Sequence, residues 1–105
     1  MSEHPLLDTL ADMTTASVAR ADLGARELML VRLAGLVAVG APPSSYVLNL
    51  GAAADSGLTL EDAQSVLVAL APVIGGPKAL AAAGAIYKAL GFVIAVIEDD
   101  MADVE

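Results

Sequence analysis

Ser44, Ser45, Tyr46 and Asn49 form the densest cluster of polar side chains away from the two ends of this 105-residue chain. Two hydroxyls, a phenol and an amide can hydrogen-bond a ligand or steady a developing oxyanion. None of them is suited to moving a proton at pH 7. Ser45 and Asn49 stand four residues apart, which stacks them on one face of a helix. Arg32 is the only charge between Leu28 and Leu50. If buried it needs a carboxylate, an anionic ligand or a subunit partner; on the surface it would simply snorkel. Arg32, Ser45 and Asn49 are therefore the candidates for catalysis, and Ser44, Ser45, Tyr46 and Asn49 those for ligand binding.

The rest of the composition narrows the chemistry. There is no cysteine, which removes disulfides, thiolate metal sites and thiol redox cycling. His4 is the single histidine and reads as an exposed tail residue, so a His-rich metal site is excluded. Gly75-Gly76 lacks the Lys and Ser/Thr of a phosphate loop and reads as a turn. No cofactor and no metal are expected. A net charge of −8 opposes nucleic acid and anionic lipid, and no basic stripe is present. The acidic start, MSEHPLLDTLADM, has no basic region of a secretory signal, and the expected location is the cytoplasm.

The elements that would carry these residues are helical. No stretch alternates as a strand does, and no Asn-Gly or Asp-Gly hairpin turn occurs. The spacing predicts a single-domain, all-α bundle of five to six helices. Residues 1–20 read as a short helix and linker, with Leu6, Leu7, Leu10 and Met13 at helical spacing until Thr14, Thr15 and Ser17 interrupt it. A second helix runs from an Asp22 cap to a Gly40 stop and is apolar nearly all round, as a central helix is. Pro42-Pro43 starts the third, which ends at Ser56-Gly57. Thr59 caps the fourth with Asp62 in a capping-box arrangement, and Pro72 interrupts that helix. The fifth begins near Pro77, and the acids of 98–105 read as a frayed, solubilising tail.

The chain is also unusually apolar. The hydrophobic set is 57% of residues, and nine glycines bring the total to about two-thirds, against a usual 45–50%. A small domain cannot hide so much apolar surface, so a second subunit or a bilayer must meet it. Ala79 to Ile97 is long enough to span a membrane, but Lys88 near its middle makes a span unfavourable and a subunit the expected partner.

The order of pieces resembles the carboxymuconolactone decarboxylase-like family, which includes alkylhydroperoxidase D. Its carriers are RELMLVRLA, then the turn with Ala53, Gly57, Leu58, Thr59, Glu61 and Asp62, then Gly75 to Pro77, over roughly Asp22 to Leu90. The resemblance implies an alkylhydroperoxidase D-like helical domain over residues 21–97 that assembles with itself as a homotrimer or homohexamer. It also places the family's Cys-x-x-Cys and His at Pro42, Ser45 and Asn49. Peroxide reduction by the family mechanism then has no thiol to carry it. A family glutamate falls about three residues from Glu27 and stays unassigned. Two functions remain open. One is an oligomeric binding or assembly protein holding a small hydrophobic or carboxylate ligand. The other is a cofactor-free lyase or isomerase acting on a small lactone or carboxylate, with Arg32 as anion anchor.

Overall fold

The computed structural model describes residues 3–102, apart from the side chains of 96, 97 and 100–102. Five helices occur among the described residues: α1 (Pro5–Arg20), α2 (Ala25–Val39), α3 (Pro43–Asp55), α4 (Leu60–Ile74) and α5 (Gly76–Ala102). No strand occurs among the described residues. The all-α, single-domain class expected from the sequence is what the chain adopts. Helix α5 lies against α2, α3 and α4, and α2 also packs on α3 and α4.

The core is small. Val37, Tyr46, Ala82, Ile86 and Ala89 form its buried cluster, with Leu33, Leu36, Val47 and Leu67 packed around it. Ala82, Ile86 and Ala89 fall on one face of α5 at helical spacing. The two alanines there leave room for the Tyr46 ring from α3 and Val37 from α2.

Each turn has a chemical cause. Gly40 takes φ +72°, and Ala41 N–H donates to the Leu36 carbonyl at 3.0 Å, closing α2 with a left-handed residue that only glycine adopts freely. Gly57 repeats the device at φ +83°, with Leu58 N–H donating to the Ala53 carbonyl at 3.0 Å. The chain direction then changes by 119° between α3 and α4. Thr59 opens α4 with a complete capping box. The Asp62 N–H donates to Thr59 Oγ1 at 3.2 Å, and the Thr59 N–H donates to Asp62 Oδ2 at 2.8 Å. Thr59→Ala should lower stability by about 0.5–2 kcal/mol, read as a fall in denaturant midpoint with unchanged m-value.

Four local expectations need correction. Helix α1 is not interrupted at Thr14, Thr15 and Ser17 but runs to Arg20. The Thr9 and Thr15 hydroxyls donate to the carbonyls four residues back at 2.8 and 3.0 Å, so they sit within the helix instead of breaking it. Asp22 does not cap α2; Gly24 holds that position in an extended conformation, without a side-chain bond. Pro72 does not interrupt α4, which continues to Ile74. It lies in the final turn, where a single intrahelical bond is lost before Gly75 ends the helix anyway. Helix α5 extends through Glu98 and Asp99 to Ala102, although acids oppose the dipole there. Both acids are exposed, where water weakens that opposition. Residues 103–105 of the expected tail lie outside the described residues.

Much apolar surface stays open. The accessible area is 7301 Å², against about 5,400 Å² for a compact monomer of 10.5 kDa. The radius of gyration is 15.2 Å, against about 13 Å for a compact domain of this length. No residue of α1 is buried, and its Leu6, Leu7, Leu10, Met13 and Val18 are all exposed. On α5, Leu80, Tyr87, Phe92 and Ile94 are exposed as well. Gly76–Ala95 is long and apolar enough to cross a membrane by length and composition.

Candidate functional site

A cavity of about 380 Å³ opens between α2, α3, α4 and α5. Met29, Leu33 and Leu36 supply its α2 wall, and Ile86, Leu90 and Val93 its α5 wall. Tyr46, Asn49, Leu50 and Ala53 line it from α3. Leu58, Thr59 and Leu60, from the turn that Gly57 makes possible, complete it with Ala63. Among the described residues, no acidic or basic side chain lines this cavity.

Its polar groups are few. The Asn49 side-chain nitrogen donates to the Ser45 carbonyl at 2.8 Å, so the amide is folded back onto its own helix. The Thr59 hydroxyl is held within the capping box by Asp62. Tyr46 is 3% exposed, and its hydroxyl is buried with no hydrogen-bond partner among the described residues. Burial pushes its phenol above the ordinary tyrosine value, so it stays protonated.

The candidate residues therefore separate. Tyr46 and Asn49 come together on the cavity. Ser45 is half-buried and lines neither this cavity nor its neighbour; its link to Asn49 is through its backbone carbonyl. Ser44 lies on a second, more open groove between α3 and α5, with Leu48, Lys88 and Phe92. Arg32 is half-buried and lines neither space; its Nη2 donates to the Thr14 carbonyl at 3.5 Å. The set Arg32, Ser45 and Asn49 is not assembled around one volume. Glu27 is exposed at the start of α2 and also lines neither space. Among the described residues no group of three His, Cys, Asp or Glu side chains is placed to hold a metal ion.

One constellation escaped the sequence reading. Arg26 donates from Nη2 to Asp62 Oδ1 at 2.7 Å and from Nη1 to Asp62 Oδ2 at 3.0 Å, a two-pronged pairing. The same Nη1 donates to the Gly57 carbonyl at 3.2 Å. Arg26 thus ties the start of α2 to the turn whose Leu58, Thr59 and Leu60 form one cavity wall. The signal available in sequence was a cation in a first helical turn, where the dipole disfavours it unless a carboxylate is near. Hydrogen bonding from Arg26, and then from the Thr59 backbone, holds the Asp62 carboxyl well below the usual carboxylate range. The same pairing raises the Arg26 guanidinium. Because the folded value of Asp62 is depressed, its contribution is fully present above the ordinary Asp value of about 4 and is lost as pH falls below it. Acid titration should therefore destabilise wild type more than Asp62→Asn, measured as the fall in melting temperature from pH 6 to pH 3.

The family model for the carboxymuconolactone decarboxylase family matches residues 5–88. The chain belongs to that family. Comparison with curated proteins and with solved structures gave no match. The family match runs from the start of α1 into α5. The residues that carried the resemblance hold structural posts in this domain. Gly57 makes the left-handed turn, Leu58 faces the cavity, Thr59 caps α4, and Asp62 joins the cap to Arg26. Glu61 is exposed in the first turn of α4, where a negative charge suits the dipole.

Proposed function

We propose that this member of the carboxymuconolactone decarboxylase family is an oligomeric, non-catalytic protein that holds a small apolar molecule between α2, α3, α4 and α5. The observation carrying this reading is a cavity that, among the described residues, has no ionisable lining side chain apart from the phenol of Tyr46, and whose one amide is tied to a backbone carbonyl. General acid–base chemistry requires a group that titrates near the working pH and reaches the substrate. Where the resemblance places the thiols and histidine, the chain has Pro42, Ser45 and Asn49. Arg32, the anion anchor of the lyase alternative, lies away from the cavity, which counts against that alternative.

Self-association follows from the open apolar faces of α1 and α5. The area in excess of a compact monomer is about 1,900 Å² per chain, more than the roughly 800 Å² that each partner buries in a standard interface. Lys78 and Lys88 lie within the apolar stretch of α5, which favours a second copy over lipid as its cover. A trimer or hexamer is the assembly that the family resemblance implies.

Native mass spectrometry of the purified protein tests both parts. The expected result is a multimer of the 10.5 kDa chain that releases a neutral small molecule on activation. A monomer that stays empty after incubation with apolar aromatic compounds would overturn the reading.

A further inference from the structure

We propose that the exposed face of α5 pairs, antiparallel and across a twofold axis, with the same face of a second copy; this rests on the self-association reading above and names its contact. Leu80, Gly84, Tyr87, Gly91 and Ile94 recur at alternating steps of four and three residues, the spacing of a coiled-coil seam. All five are exposed, the three large ones by 75%, 56% and 47%. They stand apart from the buried face of the helix, where Ala82, Ile86 and Ala89 join Val37 and Tyr46. The open area of about 1,900 Å² beyond a compact monomer is ample for such a contact, which takes roughly 800 Å² from each partner.

The two glycines need a cause outside the chain. A glycine inside a helix costs stability relative to alanine. Among the described residues, nothing lies within 4 Å of where a Cβ on Gly84 or Gly91 would stand, so the fold itself requires neither. Between Leu80, Tyr87 and Ile94 they leave hollows among projections. Hollows and projections that alternate along one helix fit a second copy of that helix, which is the self-complementarity of a twofold interface.

Charge sets the direction. Glu98 continues the stripe four residues beyond Ile94, near the C-terminal end of α5, where the dipole of its own helix opposes it. In an antiparallel pair centred on Tyr87, Leu80 meets Ile94 of the second copy and Gly84 meets its Gly91. Glu98 then comes beside the start of the second copy's α5 at Gly76, where a negative charge is stabilised. A parallel pair would set Glu98 against Glu98. Lys88 borders Tyr87 at the edge of the seam, where its exposed ammonium stays in water. A twofold seam gives an even number of copies, so of trimer and hexamer it selects the hexamer.

The chain has no cysteine, so introduced thiols report the seam. Leu80→Cys and Ile94→Cys proteins are oxidised singly and after co-expression. A covalent dimer is expected from the co-expressed pair and from neither protein alone, since Leu80 and Ile94 meet each other and not themselves. Gly84→Ala combined with Gly91→Ala should raise the subunit dissociation constant about ten- to hundredfold, the scale of overpacking a close contact, with the helical signal retained. A role confined to the helix would act the other way, because alanine favours it. Disulfides within each single variant would overturn the antiparallel direction. A wild-type trimer, or a multimer without any cross-link through α5, would overturn the seam and leave self-association standing. A wild-type monomer that partitions into vesicles of neutral phosphatidylcholine would put lipid on this face and sink both.

Discussion

Truncating Ile86 to alanine is expected to destabilise the fold by about 2–5 kcal/mol. Ile86 is 7% exposed, sits in the buried cluster with Val37 and Tyr46, and also lines the cavity. Its removal both withdraws buried apolar area and enlarges a space the neighbours cannot collapse into. The core has few residues, so little else can compensate. The cavity connection gives this variant a second readout. An apolar aromatic such as ethylbenzene should raise the melting temperature of Ile86→Ala by more than it raises that of wild type, because it refills the lost volume. A drop in stability that added ethylbenzene does not reverse would mean that Ile86 supports the fold without bordering a ligand space.

Ala53→Phe is expected to act in the opposite way, leaving the fold in place and closing the cavity. Ala53 is half-buried on α3 and lines the cavity near the turn at Gly57. A ring placed there occupies a large part of about 380 Å³. Affinity for acetophenone should fall by about 100-fold, equivalent to roughly 2.7 kcal/mol. Circular dichroism should show the helical content unchanged. Retained binding with a folded Ala53→Phe protein would place the ligand elsewhere, the open groove beside Lys88 and Phe92 being the alternative volume.

The fold was legible where local chemistry decides the backbone. Gly40, Gly57 and the Thr59–Asp62 box mark their helix ends in sequence and in space, because left-handed residues and caps act over a few positions. Thr14 and Thr15 misled because a hydroxyl can bond back to its own helix as readily as it can end one, and only the surrounding turn decides. Pro72 misled because its effect depends on distance from the helix end, which sequence fixes only within a few residues.

The candidate site was legible as a segment and not as a constellation. Polar residues did gather at the start of α3, yet a helix distributes neighbours around its axis. Ser44 went to one groove, Tyr46 and Asn49 to the cavity, and Ser45 to neither. Tyr46 was identified as polar, whereas in the fold its ring is core and its hydroxyl is buried with it. The Arg26–Asp62 pairing joins residues 36 positions apart and could be inferred only once α2 and the α4 turn were known to meet. Such long-range meetings follow from how apolar faces pack, which one helix's periodicity does not specify.

Calorimetric titration of the wild-type protein with acetophenone at several temperatures tests the central claim most directly. Binding of a small neutral molecule in the α2–α5 cavity predicts saturable heat at one ligand per chain and a negative heat-capacity change from buried apolar surface. An absence of saturable heat, or a binding event left unaltered by Ala53→Phe, would contradict it.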